Sequence, residues 1–569
     1  MNYSKSVVIL CFFSNLGCAA MLPPDIIQNN QEKTLQREQQ RKETDRLLTQ
    51  PLDYEVNPAI KSPPSPSYSS PASGGVVYLR GICLDFGERK KLFNPDKLAE
   101  MYLNKNLNNV DIYNIIRILS ANLYEKGYIT SSITINNKKN ITDGVLYLKI
   151  DWGRVKKIKI NGSDDASFLK EMEAKLALPG MNDNVLNMRD IDQAIENSNN
   201  GFKKTKINIL PGDEYSYSDL DFITEQVYYP RLSLRADNGG QSNKDGPYRY
   251  TGNISVGNLL SLNDTLMIGG NYRHFHNSND FVDHGYFINY SAKWGYNSLS
   301  LFLSKSETET PNLIAGVNFP YENRVKMYSG TFRHKFYTSK ISQASASLEL
   351  KTKESNNYLN GSKLDVSSNN YTDFTLGLQG IYQFPSVSFV GDISWNRGLN
   401  LNNGQEASYN SQGTDGHMNR FMGSISTYMP FSVGSQPLFY RNQLNIQYSP
   451  TALINNYQMT LSDEYTIRGL NNSSSISGDS GFYVMNTIGF PISIPLKRVI
   501  VDVSPFIGFD IGEVKNNITN NKKNVSSVSA GINSGFNNFD ISLTWGKVFH
   551  VSHGSNPDSV FYLNGGFSF

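Results

Sequence analysis

The stretch Ala344-Ser345-Ala346-Ser347-Leu348-Glu349-Leu350-Lys351 puts its apolar residues on even positions and its polar residues on odd ones. Successive side chains of a β-strand point to opposite faces, so one face here is aliphatic while the other carries a carboxylate and an ammonium. The same alternation returns along the second half of the chain. Tyr248, Tyr250, Ile254 and Val256 oppose Arg249, Thr251, Asn253 and Ser255. Ile288, Tyr290, Ala292 and Trp294 oppose Asn289, Ser291 and Lys293, and Ile541, Leu543 and Trp545 oppose Asp540, Ser542 and Thr544. Each piece runs for roughly ten residues, the length that crosses a bilayer as a tilted strand. Asn/Gly/Ser-rich turns such as Asn402-Asn403-Gly404 lie between them. Residues 227–569 are therefore expected to form a transmembrane antiparallel β-barrel of about sixteen strands, apolar toward lipid and polar toward the lumen. The stretch Phe561-Tyr562-Leu563-Asn564-Gly565-Gly566-Phe567-Ser568-Phe569 reads as a last strand that closes the barrel at Phe569. A soluble β-sandwich is the alternative, and it asks for more apolar content than this region holds.

Composition agrees with a barrel. Of 569 residues, 39% are hydrophobic and 18% are charged, below the roughly 45–50% and about 25% of ordinary soluble domains. Asn, Ser, Gly and Tyr fill the difference. The 33 Tyr and 30 Phe suit a surface that meets lipid on one side and water on the other. A net charge of +2 gives no reason to expect a nucleic-acid partner. Past the first residues there is no apolar run of about 18, so a membrane-spanning part must be a closed barrel, in which every backbone group is paired.

The residues ahead of the barrel divide further. Lys5, the apolar run Val7 to Phe13 and the small residues Gly17-Cys18-Ala19-Ala20 read as a signal peptide over 1–20, cleaved before Met21. Cys18 as a lipoprotein acceptor is the alternative. With Cys11 and Cys18 removed, Cys83 is alone and no intrachain disulfide is possible. Region 21–50 contains a polar helix over 28–50 whose few apolar residues suit a wet setting, and a solvated leader is the bland reading. Six prolines among Ser and Gly make 51–75 a linker. Residues 76–152 and 153–226 then read as two similar α/β modules. The first has a strand over Val76 to Leu84, helices over Pro95 to Asn106 and Asp111 to Lys126, then strands over Ile129 to Ile135 and Val145 to Ile150. The second runs strand Val155 to Ile160, helices Ala166 to Leu176 and Met188 to Asn197, strands Lys204 to Leu210 and Asp219 to Thr224.

Several motifs resemble the TpsB family, the outer-membrane transporters of two-partner secretion that export haemolysins, haemagglutinins and contact-dependent-inhibition toxins. Gly127-Tyr128-Ile129-Thr130-Ser131 with Asp143-Gly144-Val145-Leu146 resembles that family's first POTRA domain. Leu178-Pro179-Gly180, Leu186 to Gln193, Pro211-Gly212 and Ser218-Asp219-Leu220 resemble the second. Asp237 to Gly240 and Tyr250 to Asn253 are similar to the opening of its barrel. The most specific match is Ile467-Arg468-Gly469-Leu470, followed by Gly478-Asp479-Ser480-Gly481, which resembles the VRGY tetrad of a long loop folded into the barrel. Its counterpart is Phe506-Ile507-Gly508-Phe509-Asp510-Ile511-Gly512, similar to the strand whose inward Asp pairs with that Arg. Strand parity, read independently, also turns Asp510 into the lumen, because Ile507, Phe509 and Ile511 share the lipid side. The sequence departs from the pattern in having Ile467 for Val, Leu470 for an aromatic residue, and no glycine pair before the tetrad.

The resemblance implies a translocator, with no enzymatic activity and no cofactor. Its partner would be a secreted exoprotein with an N-terminal two-partner-secretion domain, docking on the POTRA modules in part by adding a strand to a sheet edge. Further partners would be outer-membrane lipid and lipopolysaccharide, and the barrel assembly machinery during biogenesis, with the transporter a monomer. Helix 28–50 would plug the pore. A BamA-like assembly factor is the alternative, since it too joins POTRA modules to a barrel. A diffusion porin leaves residues 76–226 without a purpose, and an adhesin or enzymatic barrel lacks visible loop chemistry: there is no G-x-S-x-G, phosphate loop or CxxC. His274, His276, His550 and His553 read as surface turn residues and not as metal ligands. Tyr248, Tyr290, Trp294 and Trp395 read as belt residues at the lipid boundary.

Overall fold

The computed structural model describes residues 31–50, 77–87, 89–136, 143–180, 185–239, 248–274, 282–310, 313–314, 317–365, 368–399, 401, 417–454, 457–471, 474–496, 499–552 and 559–569. The expected signal peptide, the Pro-rich linker, the Asn402-Asn403-Gly404 turn, His276 and His553 lie outside these residues. Among the described residues no helix is long and apolar enough to cross a membrane.

Residues 77–226 form two small α/β modules. In the first, strands Gly81–Asp85, Val145–Asp151 and Ser132–Ile135 make one sheet, parallel then antiparallel. Helix Asn109–Glu125 lays Ile115, Leu119 and Leu123 onto that sheet at helical spacing. Its start is fixed by a capping box, in which the Asn108 side chain accepts from the Asp111 N–H while Asp111 accepts from the Asn108 N–H. Its end is fixed by Gly127 at φ 92°. Pro95 to Asn106 is not one helix: it is a turn of helix at Pro95–Leu98, a 3-10 turn at Glu100–Tyr102, and a strand, Lys105–Leu107, paired with Val77–Leu79. Asn104 takes φ 58°, which breaks any helix and turns the chain back to that strand. The strand expected from Ile129 likewise starts only at Ser132.

The second module repeats the order, with strands Arg154–Ile160, Tyr217–Gln226 and Lys203–Pro211 in that sheet order and helices Phe168–Ala177 and Met188–Ser198 packed on them. A buried ion pair, Lys203 to Glu173 at 2.5 Å, ties the sheet to the first of these helices. Edge strand Arg154–Ile160 carries Lys156 and Lys159, which pair with Glu214 at 2.8 Å and with Asp219 at 3.3 Å. The hydrogen bond to Asp219 holds the Lys159 ammonium above its ordinary range.

Residues 231–568 form a closed antiparallel barrel of sixteen strands. They are Arg231–Asp237, Tyr248–Gly257, Thr265–His274, Val282–Trp294, Asn297–Thr310, Tyr321–Thr338, Ser342–Leu359, Asn369–Gln383, Ser388–Leu399, Asn419–Val433, Gln436–Tyr448, Ser480–Gly489, Val499–Lys515, Lys522–Phe536, Phe539–Val551 and Val560–Ser568. Short ladders at Ser362–Lys363 and Ile492–Leu496 extend their neighbours at the rims. Closure comes from pairing Asn564–Ser568 with Ser233–Asp237, and beyond it the Phe569 and Leu232 main chains exchange hydrogen bonds of 2.8 and 3.0 Å. The alternation is visible in burial. Leu348 and Leu350 stand half-exposed on the outer surface, whereas Glu349 and Lys351 are buried inside. At one rim the strands join by short turns such as 295–296, 384–387 and 434–435, and at the other by long loops.

Candidate functional site

The lumen is not empty. Two segments fill it, helix α1 (Gln31–Thr49) and the loop of residues 449–479, which links Gln436–Tyr448 to Ser480–Gly489. The loop turns inward because it carries its own apolar patch. Leu461, Ile467, Leu470 and Ile476 pack on Tyr483, Met485, Val514, Val525 and Val548, a stretch of wall whose inward positions are apolar where most of the lumen is polar.

At the loop tip, Arg468 and Asp510 are both buried. Arg468 Nε donates to Asp510 Oδ2 at 2.8 Å and Nη2 donates to Oδ1, a bidentate fork. Nη1 reaches Thr487 Oγ1 at 3.0 Å, Nη2 the Asn486 carbonyl at 2.8 Å, and the Arg468 N–H donates to Asp510 at 3.1 Å. All the guanidinium nitrogens are thus engaged, which is how a charge is held out of bulk water. The inward glycines make the room. A Cβ on Gly508 would strike Arg468 Nη2, and one on Gly512 would lie 2.7 Å from Leu461 Cδ1. Gly469 takes φ 112°, with the main chain of Lys547 within 2.9 Å of where a Cβ would be. Only glycine fits a positive φ against a wall that close.

Leu470 is buried in the apolar patch of the loop, and a wall tyrosine holds the main chain beside it. The Tyr562 hydroxyl accepts from the Gly469 N–H at 2.8 Å and donates to the Leu470 carbonyl at 2.5 Å. Phe569 contributes only main-chain pairing, and its side chain is exposed.

A second anchor grips the first limb of the loop, ahead of its tip, on a different part of the wall. Tyr457 donates its hydroxyl to Asp373 Oδ2 at 2.5 Å. Asp373 also takes Lys351 at 3.3 Å and the Asn396 amide at 2.6 Å. The Arg420 guanidinium lies over the Tyr457 ring, 4.9 Å from its centroid, and donates to the Tyr457 carbonyl at 3.1 Å. The loop base is closed by buried Asp479, which accepts from the Leu453 and Asn517 N–H groups at 2.7 and 2.6 Å.

Helix α1 makes its lumenal contacts almost entirely through polar groups. Arg37 donates to Asp463 Oδ2 and to the Thr460 carbonyl of the loop, both at 2.7 Å, and Arg41 lies over the Tyr465 ring. Glu38 pairs with Arg235 of the wall at 3.1 Å. Asp45 accepts from Arg441 Nη1 at 2.7 Å. At the C-terminal end, Gln383 Nε2 donates to the Leu47 and Gln50 carbonyls at 2.8 and 2.7 Å, and Leu48 enters an apolar socket of Ile381 and Val390.

Of the residues singled out in the sequence, Ile467, Arg468, Gly469, Leu470 and Asp510 lie together, and Phe569 lies at the barrel seam. The sequence did not single out Tyr562, Tyr457, Asp373, Lys351, Arg420, Arg37 or Asp463. Inward parity marks Lys351 and Asp373 as lumenal, but which loop residue meets them depends on how the barrel closes. Among the described residues no cluster of His, Cys, Asp and Glu is arranged to hold a metal ion. His550 is corrected from a turn to an exposed position within strand Phe539–Val551, and His274 ends strand Thr265–His274.

This arrangement, a barrel with POTRA-like modules and two polar lumenal segments, has counterparts of known kind. The family model described as haemolysin secretion/activation protein ShlB/FhaC/HecB matches residues 216–534, the ShlB-type POTRA domain matches 77–153, and a further POTRA domain matches 154–211. The outer membrane transporter CdiB of Escherichia coli O6:K15:H31 is 25% identical over 89% of this chain and 84% of its own length. The hemolysin transporter protein HpmB of Proteus mirabilis is 24% identical over 90% of this chain and 89% of its own. The solved structure of CdiB from Escherichia coli shares the fold, with a TM-score of 0.81 at 22% identity, over 97% of this chain and 100% of that one. Taken with the barrel and its occupied lumen, these matches make the chain a member of the ShlB/FhaC/HecB family of two-partner-secretion transporters, an outer-membrane barrel with POTRA domains in the periplasm.

Proposed function

We propose that this chain exports one large unfolded exoprotein through its barrel, and that the Ile467-Arg468-Gly469-Leu470 tip on Asp510 holds the lumenal loop in a position export requires. The observation that carries the reading is a pore obstructed by helix α1, a segment held mainly through polar contacts. Such contacts exchange for water at small net cost, so a plug of this kind can leave, whereas an apolar plug would not. On this reading residues 1–20 are a cleaved signal, 21–50 the plug region, 51–75 a linker that lets the plug withdraw, and 76–152 and 153–226 the receptors. The partner's N-terminal secretion domain arrives unfolded in the periplasm and adds a strand to an exposed sheet edge of a POTRA module. Helix α1 withdraws and the polypeptide passes outward, with folding on the far side drawing it forward. No reaction on the substrate, cofactor or metal enters the cycle. The transporter works as a monomer in lipid and lipopolysaccharide, after insertion by the barrel assembly machinery.

The test is deletion of the chain in its own host, followed by comparison of the culture medium and of the outer-membrane fraction. One large protein should vanish from the medium, to return on complementation, while other barrels assemble normally. A general failure of barrel assembly, or an unchanged medium, would reject the export reading.

A further inference from the structure

The apolar socket under the C-terminal end of α1 is out of keeping with its surroundings. Ile381 and Val390 face each other directly across strands Asn369–Gln383 and Ser388–Leu399, both inward and both buried, in a lumen otherwise lined there by Arg333, Asp392 and Ser424. They stand beside the short turn 384–387, on the same rim as Arg231, where the chain enters the barrel from its periplasmic modules. A pore that only had to pass water or ions would have no reason to hold an aliphatic pair at its entrance. Leaving that pair bare whenever α1 is absent exposes apolar surface to water, which is unfavourable.

What sits there now shows what the socket accepts. Leu48 fills it, Leu47 and the Tyr428 ring pack at its edge, and Gln383 reads two main-chain carbonyls, those of Leu47 and Gln50. An aliphatic side chain plus backbone carbonyls is a description of any unfolded polypeptide, not of this helix in particular. We infer that the Ile381–Val390 socket with Gln383 is a peptide-binding site of the translocation path, held by α1 at rest and by aliphatic residues of the exported polypeptide in transit. The inference rests on the export reading above. It assigns that reading an entry site and makes release of α1 and engagement of cargo one competition for the same groups.

The test separates a cargo site from a mere latch. Purified full-length protein in planar bilayers is exposed, on the periplasmic side, to a synthetic unstructured peptide carrying a Leu-Leu pair, or to the same peptide with Ser-Ser. In the Leu48→Ser protein, whose socket is intact but whose plug is loosened, the Leu-Leu peptide should block current at about a tenfold lower concentration. Val390→Thr, which keeps the side-chain shape but exchanges a methyl for a hydroxyl, should abolish that difference. In cells, Val390→Thr should cut secretion of the exoprotein severalfold, whereas Leu48→Ser should not. A photo-reactive residue at position 381 should join to α1 in idle cells and to the exoprotein in secreting ones. If Val390→Thr and Leu48→Ser behave alike, with an open pore and no dependence on peptide leucine, the socket is only a latch and the inference falls. Failure of the export reading looks different: no protein leaves the medium on deletion, while the peptide preference in bilayers persists.

Discussion

Arg468 shows how much one side chain carries here. Removing it leaves Asp510 buried with an uncompensated charge, a loss of about 3–5 kcal/mol when one partner of a buried pair is deleted. Arg468→Ala should therefore insert into the membrane normally, show raised and noisier conductance as the tip lets go, and lose most export. Arg468→Ala with Asp510→Ala should recover part of the thermal stability but not the export, because the stranded charge is gone while the tip is still unheld. Export at the normal level by Arg468→Ala would remove Arg468 from the mechanism. Tyr562→Phe is the finer test. It deletes only the hydroxyl that bridges the Gly469 N–H and the Leu470 carbonyl, at a cost of about 1–3 kcal/mol for two main-chain groups left dry. The expected phenotype is that of Arg468→Ala in weaker form, read as conductance in bilayers. The Arg468–Asp510 pair could be suspected from sequence because a short motif and strand parity both point to it. Tyr562 could not, since nothing local marks one inward Tyr among many as the one beneath the loop.

At the scale of elements, alternation made the barrel strands readable, because lipid on one side and water on the other impose period two with few exceptions. The POTRA modules were less legible where the elements are short. Pro95 opens a turn of helix, but Asn104 at positive φ turns the chain back, and the three-residue strand after it forms only because Val77–Leu79 is there to pair with it. Helix α1 was visible as a polar helix, yet its docking was not, since Glu38 meets Arg235 and Asp45 meets Arg441 only once the barrel has closed. At about 1.5 Å per residue its 19 residues run about 28 Å, nearly the hydrocarbon thickness of a bilayer. A variant lacking residues 31–49 should accordingly assemble and conduct severalfold more current than the full chain in planar bilayers. Raising the salt from 0.1 to 1 M should narrow that gap after correction for bulk conductivity, because ion pairs that hold the helix are screened. Equal currents with and without the helix would show that α1 does not obstruct the pore.

At the scale of the whole molecule the question is which way the cargo goes, through the lumen or sideways through the wall. The seam is where a wall would part, and it is narrow: Asn564–Ser568 on Ser233–Asp237, where neighbouring long strands pair over much of their length. Ser233 and Ser568 are register partners whose hydroxyls are 3.4 Å apart. They adjoin the hydrogen-bonded pair of Leu232 and Phe569, so they occupy a non-hydrogen-bonded site, where Cα atoms lie about 4.5 Å apart and a disulfide can form. Cys83 is exposed, so Cys83→Ser is the background that keeps pairing unambiguous. In that background Ser233→Cys with Ser568→Cys should oxidise in the periplasm and lock the barrel shut. A polypeptide that travels inside a closed cylinder does not need the seam, so export should proceed at the unlocked rate, with or without reductant. Export that stops on oxidation and resumes on reduction would place the route through the wall, and the contacts of α1 and of the 449–479 loop would then have to be read as a brace for the seam and not as a plug in the path.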